Sequence, residues 1–219
     1  VKEMINADLT NQLYQLLFKK MGPQHWWPAD SKPEIIIGAI LVQNTNWQNA
    51  ADALDKLRQE TNFIPQKILH LSSQQLADMI FTSGSYQQKS HYIQTAFAWF
   101  DQNAWDYQAM FIRDGSKLRQ KLLKLPGIGE ETADVLLVYV FDQPEFIADK
   151  YARKLFSYLG FKADNYHQLK QQIVLPKGFT FSTAQEFHGL IDEFGKKWLK
   201  ERQLFEKSFL AEELKNNIN

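Results

Sequence analysis

A chain of 219 residues with 44% hydrophobic content is long enough to bury one substantial core or two small lobes, which excludes a disordered polypeptide. Lys plus Arg and Asp plus Glu both number 25, so no net basic field draws the chain to nucleic acid, and any such affinity must come from local charge. The absence of cysteine excludes disulfides, thiolate nucleophiles, cysteine-held zinc and any thiolate-held iron–sulfur cluster. The 14% aromatic content fits either an aromatic core or a site that stacks flat ligands. No apolar run approaches a membrane span and the first ten residues carry no basic-then-apolar signal pattern, so the expectation is a cytoplasmic enzyme or binding protein.

In chain order, nearly every segment carries apolar residues at helical spacing and none shows sustained strand alternation, so the expected fold is all-α. Leu9, Leu13, Leu16 and Leu17 form one stripe behind Asp8 as candidate cap. Pro33 suits a first helical turn, and the almost wholly apolar Ile35 to Val42 stretch reads as a central, buried helix. Thr45 is the expected cap of a helix through Ala51, Leu54 and Leu57, and Ser72 or Ser73 that of one through Leu76, Met79 and Ile80. Gly84 breaks the chain before a helix carrying Tyr92, Ala96, Phe97 and Phe100, and Asp114 and Ser116 start the Leu118, Leu122, Leu123 stripe. After Leu125-Pro126-Gly127-Ile128-Gly129 a helix resumes from Thr132 to Phe141, and Pro144 ends it. Asp149 is placed to cap a helix through Leu155 and Phe156. A short helix is expected within Asp164 to Gln171, and Ser182 opens a long amphipathic one through Phe187, Ile191, Phe194 and Trp198.

Pro126-Gly127-Ile128-Gly129 makes a tight connection whose glycines permit positive φ and let the backbone approach another surface closely. The unpaired N–H groups and positive dipole end of the following helix suit a phosphate, so DNA affinity needs no net basic charge. Taken alone, each feature has a plainer reading. The hairpin is an ordinary turn, Asp149 a common cap, Gln43 a helix-end group bonding backbone, and Lys196, Lys197, Lys200 and Arg202 a solvated face.

Their combination is more specific. Leu125-Pro126-Gly127-Ile128-Gly129 followed by Glu130-Glu131-Thr132-Ala133-Asp134 resembles the helix-hairpin-helix signature of the endonuclease III superfamily of DNA glycosylases. That superfamily has an essential aspartate past the second hairpin helix, as Asp149 stands in Phe146-Ile147-Ala148-Asp149-Lys150-Tyr151. The likeness runs from about Trp26 to Trp198. It implies an all-α, two-lobed helix-hairpin-helix glycosylase fold with a central cleft. Residues 33–142 would form a central lobe containing the motif (about 117–141), and 1–32 plus 143–219 a second lobe.

The partner it implies is double-stranded DNA containing a damaged base, met by a monomer. Gln43 and Asn44 match the segment whose glutamine enters the space left by an extruded nucleotide, and Pro126, Gly127, Ile128, Gly129 and Glu130 would hold phosphate. The stretch from Ser83 to Lys89 matches a second wedge loop, although Ser85 stands where a bulky apolar residue is usual, with Tyr86 as a partial substitute. Backbone carbonyls of Leu123, Leu125 and Ile128 match those that take a monovalent cation.

Departure of a base leaves an oxocarbenium-like sugar, which a fixed carboxylate at Asp149 would stabilise while orienting or deprotonating water. Bifunctional members carry a lysine in the second hairpin helix where this chain has Glu131, and a carboxylate forms no Schiff base, so the resemblance implies base removal without strand cleavage. The Trp26-Trp27-Pro28 run, Trp47 and Asp149-Lys150-Tyr151 look most like the bacterial 3-methyladenine DNA glycosylase III subfamily. There the aromatics at Trp26 and Trp47 sandwich an alkylated purine, Trp27 and Pro28 line the same pocket, and the lysine at Lys196 can exist as a carbamate. A cationic purine suits aromatic faces and is already weakly bonded to its sugar. Many relatives hold a [4Fe-4S] cluster with C-terminal cysteines, whereas Phe194-Gly195-Lys196-Lys197-Trp198-Leu199 has none, so packing around Trp198 is expected instead and no cofactor is required. The alternatives are a glycosylase for oxidised or mismatched bases, a lyase using Lys150 or Lys154, and a non-catalytic DNA-binding module.

Overall fold

The computed structural model describes residues 4–216 and divides into two compact units, Ala29–Phe141 and Val1–Pro28 with Asp142–Asn219. Helix α1 (Ala7–Met21) precedes the first of these. Ala29–Phe141 then carries α2 (Lys32–Leu41), α3 (Trp47–Thr61), α4 (Pro65–His70), α5 (Ser73–Met79), α6 (Tyr86–Asp101), α7 (Tyr107–Asp114), α8 (Leu118–Leu122) and α9 (Glu130–Tyr139). The chain returns through α10 (Lys150–Tyr158), α11 (Tyr166–Gln172), α12 (Phe181–Trp198), α13 (Arg202–Glu206) and α14 (Phe209–Asn216). The fold is all-α: the described residues contain no strand, and one parallel bridge, Ile5 with Ile173, ties the N-terminal segment to the end of α11.

In Ala29–Phe141 the hub is α2. Ser31 caps it, Pro33 sits in its first turn, and Ile36, Ile37, Ile40 and Leu41 are wholly buried against α3, α6 and α9. An apolar residue at nearly every position leaves the helix no face for water, so it goes to the middle. Its buried Glu34 is ion-paired with Arg58 of α3, which also holds Asp30 at 3.0 Å. Much of the aromatic content is core here: Phe100 stacks on Trp105 at 5.4 Å, with Phe97, Tyr107 and Phe141 around them.

In the other unit α12 is the spine. Its Phe187, Leu190, Ile191 and Phe194 bury against Leu13 and Leu17 of α1 and Leu155 and Phe156 of α10. At its C-terminal end Phe194 gathers Trp198, Phe205 and Phe209, with ring centroids 5.5 to 6.5 Å away.

Several boundaries differ from the sequence expectation for local reasons. Asn6, Asn46 and Thr180 cap α1, α3 and α12, each accepting an N–H three residues on, in place of Asp8, Thr45 and Ser182. Asp8 lies inside the first turn, where its charge faces the dipole, and Thr45 accepts instead from the Asn49 side chain at 3.1 Å. Ser72 caps α5 in a reciprocal box with Gln75. Helix α9 stops at Tyr139, well before Pro144, because the N–H groups of Val140 and Phe141 both turn back to the Leu136 carbonyl and Asp142 takes φ +55°. Asp114 starts no helix with its side chain, which is taken by Arg113 and Lys121.

Candidate functional site

The hairpin between α8 and α9 is built from contacts within Ala29–Phe141. Ile128 N–H returns to the Leu125 carbonyl at 3.1 Å to close the turn. Gly127 has φ +78°, and a Cβ there would fall on the Tyr92 ring of α6, so both backbone and packing require glycine. Gly129 is different from the expectation that both glycines serve positive φ. It is extended at φ −84°, caps α9, and a Cβ there meets nothing within 4 Å, so it leaves open space beside the helix N-terminus. Arg119 of α8 grips the fully buried Asp134 of α9 through two hydrogen bonds, 2.8 and 3.1 Å, and reaches Glu130 at 3.5 Å, which fixes one helix against the other.

Gln43 joins this hairpin. Its side-chain Nε2 donates to the Gly127 carbonyl at 2.9 Å and to Thr132 Oγ1 at 3.1 Å. Its neighbour Asn44 is exposed with φ +54°, and Trp47 sits half-buried as the first residue of α3. A residue that sequence reasoning passed over ties in the next segment. Lys89 of α6 is 4% exposed, and its ammonium donates to the carbonyls of Leu41 and Ser83, both at 2.7 Å. Burial pulls its pKa below the usual lysine value. Leu41 lies two residues before Gln43, and Ser83 in the loop that leads to Tyr86.

The remaining predicted residues lie in the other unit, around α12. The backbone N–H of Gln24 is held by Glu186, and Trp26 packs where a Cβ on Gly189 would come within 2.6 Å of it. Trp27 is 6.1 Å away, centroid to centroid, and Pro28 is exposed. Tyr151 packs against Gly195 of the same helix, again where no Cβ fits. Two glycines six residues apart, about 9 Å along a helix, therefore seat Trp26 and the start of α10 on one spine. Asp149 caps α10: its Oδ1 accepts the Ala152 N–H at 2.7 Å, and the residue is 8% exposed. A carboxyl locked this way is positioned before any ligand arrives.

Lys196 lies 4.8 Å from the centroid of the Trp26 ring, on one face. Burial lowers its pKa, but Asp192 and Glu193, the latter at 2.7 Å, outweigh that and leave it above the ordinary lysine value. Carbamate formation needs the neutral amine, so this pairing works against the carbamate that the subfamily likeness implies. Of the other basic residues near the end of α12, Arg202 pairs with Glu206 at 3.3 Å and Lys197 lies over the Trp198 ring. Among the described residues no group of His, Asp or Glu is placed to hold a metal ion, and no helix is long and apolar enough to cross a membrane.

Residues 37–177 match the model of the HhH-GPD superfamily of base excision DNA repair proteins. The chain belongs to that superfamily. An inferred DNA repair glycosylase of Methanocaldococcus jannaschii is 32% identical over 90% of this chain and 91% of its own length, and endonuclease III of Sulfolobus acidocaldarius is 29% identical over 90% of each. Among solved structures, Helicobacter pylori 3-methyladenine DNA glycosylase bound to 1,N6-ethenoadenine aligns with TM-score 0.70 and 26% identity, covering 89% of this chain and 98% of that one. A trapped endonuclease III–DNA covalent intermediate aligns with TM-score 0.71 at 21% identity, over 90% of each, and shows the fold alone. The α8–α9 turn and Asp149, ahead of α10, both lie within the residues that match this DNA repair glycosylase superfamily.

Proposed function

We propose that this HhH-GPD protein is a monofunctional DNA glycosylase that extrudes an alkylated purine such as 3-methyladenine from duplex DNA and removes it with water. The observation that carries the reading is the cap at Asp149, a largely buried carboxyl fixed by the Ala152 N–H on a helix seated, like Trp26, against α12. A carboxylate so held stabilises the cationic sugar that forms as the base departs, and directs water to it, with no reorganisation at the moment of reaction.

The other roles follow from the same chemistry. The α9 N-terminus, with open space at Gly129, takes a phosphate through backbone N–H groups of Gly129 and Glu130 at the end of the Pro126–Glu130 turn. The carbonyls of Leu123, Leu125 and Ile128 would take a monovalent cation at the same turn, that of Leu125 while also accepting the Ile128 N–H. Gln43, with Asn44, fills the space left in the duplex. Trp26, Trp27, Pro28 and Trp47 supply apolar and aromatic surface for the base. The ammonium of Lys196 over Trp26 is flanked by the carboxyls of Asp192 and Glu193, so the local charge does not oppose a cationic purine. Support for the lesion class comes from the structural likeness to the H. pylori 3-methyladenine glycosylase, which spans nearly all of that chain. Support for base removal alone comes from Glu131, an exposed carboxylate in the first turn of α9 that can form no imine.

The test is excision from a lesion panel. Release of 3-methyladenine from methylated duplex, with thymine glycol and mismatched duplexes left intact, is the expected result. Preferential release of the oxidised or mismatched base assigns the chain to the other lesion class. A covalent adduct trapped by borohydride overturns the monofunctional reading.

A further inference from the structure

Gly189, Asp192, Glu193 and Lys196 recur at the spacing that puts residues on one face of a helix, here α12. The missing side chain of Gly189 seats Trp26, whose Cβ lies where a Cβ on the glycine would come within 2.6 Å. Two turns further along, the Lys196 ammonium stands 4.8 Å from the centroid of the same indole. The ring and the helix belong to the same compact unit, so a cation already sits on an aromatic face that the proposed function gives to the base.

The two carboxyls that hold this ammonium are unequal. Glu193 is 37% exposed, and a pair so open to water contributes little. Asp192 is 16% exposed with its Oδ2 buried, and a carboxylate in that position is costly unless a cation stays beside it. Burial raises the Asp192 pKa, and Lys196 opposes that rise. Lys150, the other cation whose charge reaches Asp192, is exposed and lies over the Tyr151 ring at 4.7 Å. Lys196 itself is 44% exposed, so its flexible stem can carry the ammonium out to water.

We propose that Lys196 is a resident cation which a positively charged, alkylated purine replaces over Trp26, and that Asp192 is the carboxylate that selects for the charge. The inference rests on the glycosylase reading above and names what that pocket discriminates. Exchange of one cation for another leaves the carboxylate compensated and the aromatic face occupied by positive charge. A neutral base that moves the ammonium aside strands Asp192 instead. The exchange also reverses itself. When the bond from sugar to base breaks, its electron pair goes to the purine nitrogen, so the base leaves neutral. The sugar carries the positive charge until water adds and gives up a proton, and the ammonium reclaims the ring.

The test compares binding of N-methylquinolinium and of quinoline, a neutral ring of similar size, by quenching of tryptophan emission. The wild type should prefer the cation, and Trp26→Ala should lose that preference. Lys196→Gln removes the occupant and should bind the cation about 10- to 30-fold more tightly than wild type, with quinoline gaining far less. Asp192→Asn should bring the two probes close to equal affinity, and Asp192→Glu should restore the preference, as loss of fold would not allow. On methylated duplex, kcat/KM for 3-methyladenine release by Asp192→Asn should fall by about 10- to 30-fold. The same ratio of affinities in wild type, Lys196→Gln and Asp192→Asn overturns the proposal, as does an equal gain of both probes in Lys196→Gln. Either result in a protein that still releases 3-methyladenine leaves the glycosylase reading standing. A charge preference that depends on Asp192 in a protein that excises no lesion would retain the cation exchange and reject the catalytic reading.

Discussion

Gln43 Nε2 donates to the carbonyl of Gly127 across 84 residues of sequence, at 2.9 Å, and a second bond to Thr132 Oγ1 holds the same amide. The residue that the likeness assigns to filling the duplex is thus part of the hairpin's own structure in the free protein. Two bonds at a half-buried site contribute about 1–2 kcal/mol, so Gln43→Ala should melt a few degrees below wild type and also bind abasic duplex more weakly. Thermal melts and binding to the abasic duplex check the two effects separately. A variant that melts like wild type would show that the amide does not brace the hairpin.

The two hairpin glycines should behave differently. At Gly127 alanine meets both a positive φ and the Tyr92 ring, a combined cost of about 2–4 kcal/mol, and the melting temperature of Gly127→Ala should drop by roughly 10 °C. At Gly129 the backbone is ordinary and the space open, so Gly129→Ala should lose no more than about 1 kcal/mol while weakening duplex binding through a methyl group beside the N–H groups proposed to hold phosphate. Equal losses of stability at the two positions would contradict this division.

Much of this architecture is legible in the sequence, and the unread part has a common cause. The apolar run at Ile35 to Val42 gives the buried hub, and the run from Leu125 to Asp134 gives the hairpin, because both are local patterns of fixed spacing. Short helices such as α4 and α7 escape the pattern because too few residues define a face. The caps at Asn46 and Thr180 lie one or two residues from the expected Thr45 and Ser182, since several neighbouring side chains could serve and tertiary packing chooses. Lys89 and Gly195 matter through partners distant in sequence, and nothing adjacent to either announces a buried ammonium or a Tyr151 ring. The carbamate expected at Lys196 meets carboxyls at Asp192 and Glu193, visible in the sequence as i,i+4 and i,i+3 neighbours once the helix is known.

The α12 spine should make stability depend on pH through His188. Burial, helped by the Lys196 charge, pushes its pKa down to about 4 from the ordinary 6.5. Below pH 6.5 the unfolded chain therefore takes up a proton that the folded chain refuses, and stability falls as the pH drops from 6.5 toward 4. Asp192, whose pKa is raised mainly by burial, works in the opposite direction as it protonates. Melting temperatures between pH 7 and 5 should decline for wild type and flatten for His188→Gln. The same slope in both would exclude His188 as its source.

The central claim concerns the carboxyl of Asp149, and its most direct test is Asp149→Asn. Asparagine is as good a helix cap as aspartate, so the Ala152 N–H keeps a partner and the fold should survive, while the negative charge is removed. Single-turnover release of 3-methyladenine from methylated duplex should fall by about 10²–10³-fold, with binding to abasic duplex close to that of wild type. Excision by Asp149→Asn at the wild-type rate would contradict the account.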